Sequence, residues 1–430
     1  MRVIADLHIH SRFSRATSAR INVAELSRFA AIKGLNLIGT GDFTHPEWLK
    51  ELQEDLTEDL NTGLFKPAKT PDSTLFMLTA EVNTIFTSDN KTKKIHHLLL
   101  TPNFETATQI NDRLALYGSL SVDGRPTLEM TAAQLVEEIM GVSPLNEVIP
   151  AHVWTPWFSL FGAFSGFDSI EDCYEDMTKH IHALETGLST DPPMNWRLSA
   201  LDKYTLVSNS DSHSCWPWRI GREANVFSVE QLSYDVVLEI LREKDYKRFE
   251  FTIETNPAYG KYHWSGHRNC GVSMPPEEAA KFGSICPVCR KQLTKGVGQR
   301  IDELADRPSG FKPENVVGYL RLLPLSEIIS AVQGTSSPST KSVWETYSSL
   351  TAKFGNEYAV LIDAPLDELS RVSNPHVAEA IVKVREGRAH VTPGYDGVYG
   401  QLNLLEENKK KEKMKSTRVP QRSLSEWCPP

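Results

Sequence analysis

The first half of the chain alternates short apolar runs with helix-like stretches, and this alternation is the strongest constraint on the fold. The runs end at carboxylates or imidazoles, namely His8, His10, Asp42, His45, Glu81, His96, His97, His152, Glu185, Asp211 and His213. Such a β-then-α order predicts a parallel sheet. An open sheet would collect ligands at one switch point, whereas a barrel presents functional groups at the carboxyl end of every strand. We therefore expect an α/β fold with a seven-stranded barrel.

Composition narrows the class of protein. The chain has 430 residues, enough for two or three domains, and 40% of them are hydrophobic, which excludes global disorder. It contains no run of about 18 apolar residues, so we expect neither a signal peptide nor a membrane span. Six unevenly placed cysteines do not suit a disulfide framework, and we expect a cytoplasmic protein with one metal-binding module.

The residue types at the strand ends indicate metal-dependent chemistry. Side chains alternate along a strand, so His8 and His10 face the same side, and neutral imidazole binds zinc, iron or manganese. A carboxylate such as Glu81 can bridge two ions, and two ions about 3.5 to 4 Å apart hold a phosphate and activate water. The pattern therefore predicts phosphoester hydrolysis. Sequence leaves His96 and His97 undecided, because neighbours in a strand face opposite ways.

The ordered set of strand-end residues resembles the PHP superfamily of metal-dependent phosphoesterases. The residues that carry this resemblance are Asp6 to His10, Gly41-Asp42, Glu81, His97, His152 and Asp211-Ser212-His213. It implies a distorted seven-stranded (β/α) barrel that holds two or three metals. The first ion would be bound by His8, His10, Glu81 and Asp211, and the second by Glu81, His97 and His152. A third would take His213 with Asp42 or His45, although Phe43 stands where the family often has histidine.

Longer stretches resemble the endonuclease Q family over nearly the whole chain. They are residues 152–158, residues 185–197, a cysteine-rich block and residues 392–400. The resemblance implies a DNA repair endonuclease that cuts on the 5′ side of hypoxanthine, uracil, xanthine and abasic sites. Water activated by the barrel metals would attack the phosphodiester, with Asp211, Glu81 and His213 as catalytic residues.

Two other functions compete with this interpretation. A small-molecule phosphatase of the PHP superfamily would use the same metal centre, but it would need neither the cysteine-rich block nor a basic tail. A non-catalytic scaffold that binds a sliding clamp would have no chemical need for a complete set of metal ligands. We therefore expect an endonuclease that acts on damaged DNA.

The cysteine-rich block predicts a structural zinc site. Cys286-Pro287-Val288-Cys289 is a knuckle whose two thiolates suit tetrahedral zinc, and Cys270 with His267 would complete a Cys3His site. His263 is the alternative fourth ligand. A Cys-x-x-Cys can also be a redox pair, but this one lacks an adjoining βαβ pattern. We expect zinc here and in the barrel, with Mg²⁺ or Mn²⁺ as alternatives for activity.

Aromatic and arginine residues beside the predicted ligands suggest contacts with DNA. Trp154 and Trp157 lie in a glycine-hinged aromatic loop after His152, and an enzyme that inspects a base must take it out of the helix. Most aromatic rings pack in cores, so this loop can equally cap the barrel. Trp196-Arg197 and Trp218-Arg219 are further candidates for base contact, and the two arginines would neutralise charge on the phosphoryl group.

The second half of the chain predicts additional domains. We expect a metallo-phosphoesterase barrel over residues 1–250, a zinc module over 251–308 and a small helical domain over 309–405. Residues 406–430 form a basic tail on a chain whose formal net charge is −9. The tail ends in a segment that resembles a clamp-interaction peptide through Gln421, Leu424 and Trp427, with Cys428 in place of the second aromatic residue. We expect a DNA sliding clamp as a partner.

Overall fold

The structure is a computed structural model that describes residues 1–59, 62–69 and 74–403. The strands are β1 Arg2–Asp6, β2 Leu37–Gly39, β3 Leu56–Asp59, β4 Leu64–Pro67, β5 Leu75–Ser88, β6 Lys91–Thr101, β7 Thr127–Leu128, β8 Glu147–Pro150, β9 Ala183–Glu185, β10 Thr205–Val207, β11 Ala224–Ser228, β12 Phe249–Glu254, β13 Ser265–His267, β14 Val272–Met274, β15 Gly318–Arg321, β16 His390–Thr392 and β17 Gln401–Asn403.

The α-helices cover the faces of this sheet and build the C-terminal region. They are α1 Val23–Lys33, α2 Pro46–Asp55, α3 Phe104–Leu114, α4 Ala132–Val142, α5 Ile170–Tyr174, α6 Pro192–Asn195, α7 Tyr234–Glu243, α8 Pro276–Lys281, α9 Val297–Leu304, α10 Leu325–Gln333, α11 Lys341–Phe354, α12 Leu366–Val372 and α13 Pro375–Arg385. A π-helical turn, Ala359–Asp363, follows α11. None of the helices among the described residues has the length and apolar character needed to cross a membrane.

Helix α1 shows how local sequence sets the boundaries of an element. The Asn22 side chain accepts a hydrogen bond from the backbone N–H of Glu25 and caps the first turn. Gly34 ends the helix with φ 96°, a left-handed conformation that glycine adopts without strain. Leu26 and Phe29 face the core at helical spacing and are almost fully buried.

The central sheet is mixed, so the expectation of a parallel sheet is wrong in part. Its order is β15-β12-β11-β1-β2-β5, and β6 continues it between β5 and β8. Strands β1, β2 and β5 run parallel, but β5, β6 and β8 pair antiparallel, as do β1, β11 and β12. The cause at β5 and β6 is a two-residue hairpin turn, Asp89-Asn90, whose φ values are both positive at 52° and 59°. A tight hairpin makes strands antiparallel without a crossover helix.

Strands β9 and β10 form a separate parallel pair beside the central sheet. On one side the backbone N–H of Val153, just after β8, donates to the carbonyl of Glu185 in β9 at 3.0 Å. On the other side the N–H of His10, just after β1, donates to the carbonyl of Ser212 at 2.9 Å. The ends of β1, β8, β9 and β10 therefore lie close together.

The C-terminal segments are joined to the sheet rather than simply appended to it. Strand β12 crosses the boundary predicted at residue 250, and β15 from the predicted helical region pairs parallel with β12. The β16–β17 segment returns to the cysteine-rich region, where the N–H of Trp264 donates to the carbonyl of Gly394 at 3.0 Å. The predicted clamp peptide with Gln421, Leu424 and Trp427 lies outside the described residues.

Candidate metal centre

Four predicted ligands from distant parts of the chain converge at one edge of the sheet. They are His8 and His10 after β1, Glu81 in β5, and Asp211 after β10, and their ligand atoms all lie within 4.8 Å of one another. His10 Nε2 is 3.0 Å from Asp211 Oδ1 and 3.2 Å from Glu81 Oε2. The period-of-two expectation for the two histidines agrees with this placement, because both rings reach the same group. We call these four residues the first ligand group.

A second ligand group shares Glu81 with the first. Glu81 Oε1 is 2.7 Å from His96 Nδ1 and 3.0 Å from His152 Nε2, while Glu81 Oε2 points to the first group. His152 sits at φ 31°, a backbone conformation that is uncommon outside glycine. A carboxylate with one oxygen in each group has the geometry of a bridge between two cations.

In the second group the structure places His96 beside Glu81, and not His97 as the resemblance implied. The two residues are neighbours on β6 and face opposite sides of the strand. The His97 ring lies 3.0 Å from the hydroxyl of Thr84 and 3.0 Å from the hydroxyl of Tyr174. Burial lowers the pKa of His97 to about 3, so it is a neutral core residue. Only the register of β5 with β6, which sets Asn83 opposite His96, decides this choice.

Each histidine of the first group is oriented by a carboxylate behind it. His8 Nδ1 lies 3.0 Å from both oxygens of Glu185, and His10 Nδ1 lies 3.0 Å from Asp42 Oδ1. Because an ionised carboxylate can only accept, each Nδ1 donates, and each Nε2 points to the group, where a neutral imidazole would bind a cation. His8 Nε2 is buried without a hydrogen-bond partner among the described residues. That orphaned atom and the mixed imidazole and carboxylate donors fit a divalent metal.

The predicted third metal site is not assembled in the structure. Asp42 accepts hydrogen bonds from the backbone N–H of Ser11 at 2.6 Å and from the Ser14 hydroxyl at 2.8 Å, in addition to its contact with His10. The ring of His45 stacks on Phe13 with centroids 4.2 Å apart. His213 Nδ1 lies 3.0 Å from the backbone carbonyl of Asp211. Among the described residues, the converging ligand groups contain none of Asp42, His45 and His213.

Mutual charge keeps the group ionised in spite of its burial. Burial by itself lowers the pKa of His8, but Glu185 and Glu81 raise it well above its usual value. Burial raises the pKa of Glu81, yet His96, Arg125 and His8 hold it well below its usual value. The pKa of Asp211 is likewise lowered, against burial, by its hydrogen bond to His10 and the positive charge of nearby histidines. Both carboxylates therefore remain anionic ligands.

Arg125 is a site residue that sequence reasoning missed. Its Nη1 lies 2.9 Å from Glu81 Oε2, and the ion pair is mostly buried. The residue lies between α3 and β7, two residues before the start of a short strand and not after its carboxyl end, so the strand-end pattern does not reveal it. The N–H of Asn83 donates to the carbonyl of Pro126 at 2.9 Å, and this contact brings the loop to the site.

A cavity of about 810 Å³ opens in front of both ligand groups. Its walls include the predicted ligands His96, His152, Asp211 and His213. The basic side chains in its walls are Arg125, Arg219, Arg222 and Lys261. A second cavity of about 390 Å³ adjoins it and shares Arg219, Arg222 and Tyr399 as walls. The basic lining contrasts with the negative net charge of the chain. It suits an anionic substrate that carries more than one phosphate.

The predicted DNA-contacting tryptophans separate into buried and accessible residues. Trp154 is 1% exposed and its Nε1 donates to Asn195 Oδ1 at 2.7 Å, so its predicted contact with DNA is wrong and it belongs to the core. Trp196 is 8% exposed and packs against Tyr319, and the same correction applies. Trp157 is 40% exposed, lines the larger cavity and stacks on Phe164.

The remaining predicted contact residues also differ in whether they line the cavities at the ligand groups. Trp218 is half-buried and stacks on Trp216 with centroids 5.0 Å apart, which places it in a packed aromatic cluster. Arg197 forms an ion pair with Asp302 and lines a different, smaller cavity of about 280 Å³. The structure thus places Arg197 at a cavity other than the one at the ligand groups. Arg219 lines both cavities at the ligand groups, as expected for a phosphate-binding side chain.

The cysteine-rich block brings together its predicted ligands. His267, Cys270, Cys286 and Cys289 have ligand atoms within 4.8 Å of one another, and Cys289 Sγ lies 3.4 Å from His267 Nδ1. The group does not include His263, the alternative ligand. Burial raises the pKa of Cys286, but the backbone N–H groups of Cys289 and Val288 lower it to about 7. Three sulfurs and one imidazole fit the tetrahedral preference of zinc.

A mixed sheet that gathers imidazoles and a bridging carboxylate under a basic cavity defines a metal-dependent enzyme of the α/β class. The chain belongs to the endonuclease Q family, which confirms the resemblance seen in the sequence. The crystal structure of the lesion-specific endonuclease PfuEndoQ from Pyrococcus furiosus is 33% identical, with a TM-score of 0.84, and the match covers 98% of this chain and all of that one. Endonuclease Q bound to a 27-mer duplex with an abasic lesion at its active site is also 33% identical, with a TM-score of 0.83 and coverage of 95% and 98%.

The C-terminal helices match the model of a separate domain family. Residues 324–388 match the model of the MJ0043 C-terminal domain. The uncharacterized protein MJ0043 of Methanocaldococcus jannaschii is 35% identical over 258 residues, which are 58% of this chain. The aligned part spans only 31% of that relative's length.

Proposed function

We propose that this protein is a metal-dependent, lesion-specific DNA endonuclease. The observation that carries the proposal is that two ligand groups sharing Glu81 open into a cavity lined by four basic side chains. The relatives above are described as a lesion-specific endonuclease and as a complex with a duplex that contains an abasic site. A small-molecule phosphatase would not require so long a basic surface beside its metals.

We further propose that the strands around the ligand groups form a distorted seven-stranded barrel of the PHP type. Its members would be β1, β2, β5, β6, β8, β9 and β10. Support comes from the ladders that join β1, β2, β5, β6 and β8, and from the hydrogen bonds of Val153 and His10 beside β9 and β10. In such a barrel the ligands of both groups lie at one rim, where active sites of α/β barrels occur.

The two ligand groups would hold two divalent cations, with Glu81 between them. A bound pair of cations supplies a water that ionises near neutral pH and positive charge for the phosphoryl oxygens. His8, His10 and Asp211 would hold one cation, and His96 and His152 the other. We propose zinc in these groups, with Mg²⁺ or Mn²⁺ as alternatives for activity. Asp211 would stay ionised as a ligand, and His213, which lines the cavity, would accept the proton released when water attacks.

The basic residues of the cavity would bind and orient the DNA strand. Arg219 and Lys261 line the same cavity as the ligand groups, and they would contact the phosphodiester and the phosphates beside it. A guanidinium contacts phosphate through two parallel N–H groups, so Arg219 would also fix the orientation of the phosphodiester for in-line displacement. Arg125 pairs with Glu81 and would add charge stabilisation from behind the ligands.

A lesion nucleotide would be extruded from the duplex and enter the cavities. Bases inside a duplex cannot reach metals at the base of a cavity, and extrusion costs less at a damaged or mispaired position. Trp157, 40% exposed, and Tyr399, 55% exposed, offer aromatic faces at the walls. We propose hypoxanthine, uracil, xanthine and abasic sites as the lesions, with cleavage on their 5′ side.

The cysteine-rich block would be a separate module that zinc stabilises. Its core is small, with Met274, Ala279, Cys286 and Leu293 as the buried members, and so small a core needs a metal to fold. We keep the division into a barrel, a zinc module and a helical domain as a proposal, with the first boundary moved past β12.

A DNA sliding clamp remains the proposed protein partner, through Gln421, Leu424 and Trp427. Deletion of residues 420–430 should abolish capture of the clamp in a pull-down while leaving nicking of short duplexes unchanged. Equal capture by the full chain and the truncated chain would contradict this proposal.

The decisive experiment uses end-labelled duplexes that carry hypoxanthine, uracil, an abasic site or no lesion. Purified protein is incubated with each duplex and Zn²⁺, Mg²⁺ or Mn²⁺, and the cut is mapped on a sequencing gel. We expect a nick directly 5′ of the lesion, none in the undamaged duplex, and loss of nicking after chelation. Failure to cut any lesion, with rapid release of phosphate from a small monoester, would establish the phosphatase instead.

A further inference from the structure

The segment 214–222, which we call the arginine segment, brings Arg219 and Arg222 to both cavities. It follows Asp211 and His213 directly and contains no strand or α-helix. A segment without its own regular hydrogen-bond ladder takes its shape from what it contacts. The contacts of the arginine segment therefore decide where Arg219 lies. Arg222 is held in addition by its own Nε and Nη2, which donate to the carbonyl of Ser210 at 3.1 and 3.0 Å.

One contact comes from a buried ion pair between the sheet domain and the C-terminal helices. Lys33, at the end of α1, is 1% exposed, and its Nζ donates to the carbonyl of Pro217 at 2.9 Å and to Glu357 Oε1 at 2.7 Å. Glu357 is fully buried and also accepts from the Tyr347 hydroxyl at 2.7 Å and the N–H of Leu325 at 3.0 Å. Lys33 thus joins the middle of the arginine segment to α10 and α11.

A second contact holds the end of the segment. The hydroxyl of Tyr358, which is 3% exposed, donates to the carbonyl of Gly221. On its other side the N–H of Gly221 donates to Asp6 Oδ2 at 2.7 Å, and Asp6 is the last residue of β1, two residues before His8. Gly221 has φ 59°, and a Cβ there would approach the Tyr358 hydroxyl to 2.7 Å. The backbone next to Arg222 is therefore fixed from both sides.

An aromatic stack joins the same two parts of the molecule. Trp216 stacks on Trp218 with centroids 5.0 Å apart, and Trp218 meets Trp344 of α11 edge-on at 5.8 Å. Trp344 in turn stacks on Tyr347 at 4.6 Å. The arginine segment thus meets the C-terminal helices through an ion pair, a hydroxyl and a packed row of rings.

We propose that the C-terminal helical region positions Arg219 and Arg222 for substrate, with Glu357 and Tyr358 as the positioning residues. This assigns to residues 324–388 a role in binding the DNA strand at the metal centre, although the helices themselves contribute no metal ligand within the described groups. The inference rests on the proposed endonuclease function. It requires that loss of either contact weakens substrate binding through the arginines and not through general instability.

The first test is a double-mutant cycle in the full-length protein with a lesion-containing duplex. Tyr358→Phe removes only the hydroxyl and should raise KM about tenfold with kcat changed less than about twofold. In an Arg219→Ala/Arg222→Ala background the same change should raise KM less than about twofold, because both side chains that it positions are gone. Arg385→Gln is the matched control, since Arg385 donates to the carbonyls of Val360 and Leu361 within the helical region and does not contact the arginine segment. The control should lower the melting temperature without changing KM.

The second test does not depend on activity. Hydrogen exchange of peptides that cover residues 214–222 should be faster in Tyr358→Phe and in Glu357→Gln than in the wild type, and unchanged in Arg385→Gln. Glu357→Gln keeps the side-chain shape and serves if Tyr358→Phe does not fold.

Additive losses in the cycle, or equal exchange in all four proteins, would overturn the inference. Absence of nicking by the wild type would defeat the proposed function, and the exchange experiment would then decide the structural coupling by itself.

Discussion

The two ligand clusters of the molecule are built in opposite ways. The groups around Glu81 draw on residues from His8 to Asp211, and these ligands are buried or nearly so. The cysteine cluster draws on residues from His267 to Cys289, and only Cys286 among its members is fully buried. The first cluster uses contacts between residues far apart in sequence, whereas the second uses a hairpin and a knuckle.

This difference shows whether the fold or a bound metal determines the structure of each cluster. Around Glu81 the sheet positions the ligands, and carboxylates such as Glu185 and Asp42 orient the rings before any metal binds. Around Cys286 the apolar core is small, and we propose that metal binding and folding are coupled there. Catalysis benefits from the first arrangement because preorganised groups need no rearrangement during reaction.

The largest expected effect on nicking comes from replacing a charged ligand of the first group. Asp211→Asn should lower kcat for nicking about 10³-fold, because a weakened metal loses several kcal/mol of charge stabilisation and each 1.36 kcal/mol is about tenfold in rate. DNA binding, measured by fluorescence anisotropy, should change little, because the basic residues of the cavity remain. Asp302→Asn, a surface acid-to-amide change, is the control and should cut normally. Normal cutting by Asp211→Asn would remove this residue from the metal centre.

Loss of a thiolate from the cysteine cluster should affect the folding of that cluster and leave the folding of the sheet unchanged. Cys286→Ser should release one equivalent of metal in elemental analysis and make residues 260–296 sensitive to protease, because the module then loses its main stabilisation. The sheet ligands should keep their metal. Cys173→Ser changes a buried cysteine outside the cluster and should retain the full metal content. Equal protease resistance in both variants would break the contrast between the two clusters.

The orienting carboxylates should have an intermediate effect. Glu185→Gln leaves every ligand of the first group in place but weakens the contact that fixes His8, so metal affinity should fall about 10- to 100-fold. A titration of nicking activity against metal concentration would measure the change. Glu147→Gln alters a buried acid that pairs with Arg242 and His182, away from both cavities, and should leave the titration unchanged. Identical curves for Glu185→Gln and the wild type would mean that the ligands orient themselves.

The burial of the Glu223 carboxyl should have the smallest effect, and it acts on stability. Burial raises the pKa of Glu223 to about 8, although the N–H of Thr255 and the positive charge of Arg222 oppose this. The unfolded chain ionises this carboxyl near its usual pKa of 4.5, so folding stability should fall as pH rises from about 4.5 to about 8. Glu223→Gln should flatten the decline by a few kcal/mol at most in urea unfolding at pH 5 and pH 8. A steeper decline in the variant would contradict the assignment.

The local pattern of residue types in the sequence was enough to predict many residues of the two ligand clusters. His8, His10 and Asp211 could be selected because side chains alternate along a strand and functional groups collect at strand ends. The same pattern selected Glu81, although the structure places it in the middle of β5 and not at its end. The cysteine cluster could be selected because its members are near neighbours with a zinc-binding spacing. The resemblance to the endonuclease Q family followed from longer stretches, namely residues 152–158, residues 185–197, the cysteine-rich block and residues 392–400.

The tertiary structure alone decided which neighbours reach the site. His96 rather than His97 faces Glu81 because the register between β5 and β6 sets the phase of the strand, and register depends on a partner strand. Arg125 enters because a loop contacts β5, while Arg197 is held by Asp302 and Trp154 is enclosed by the core. These outcomes depend on contacts between residues far apart in sequence. Residue type and local spacing therefore determined the chemistry, and only packing determined which side chains carry it.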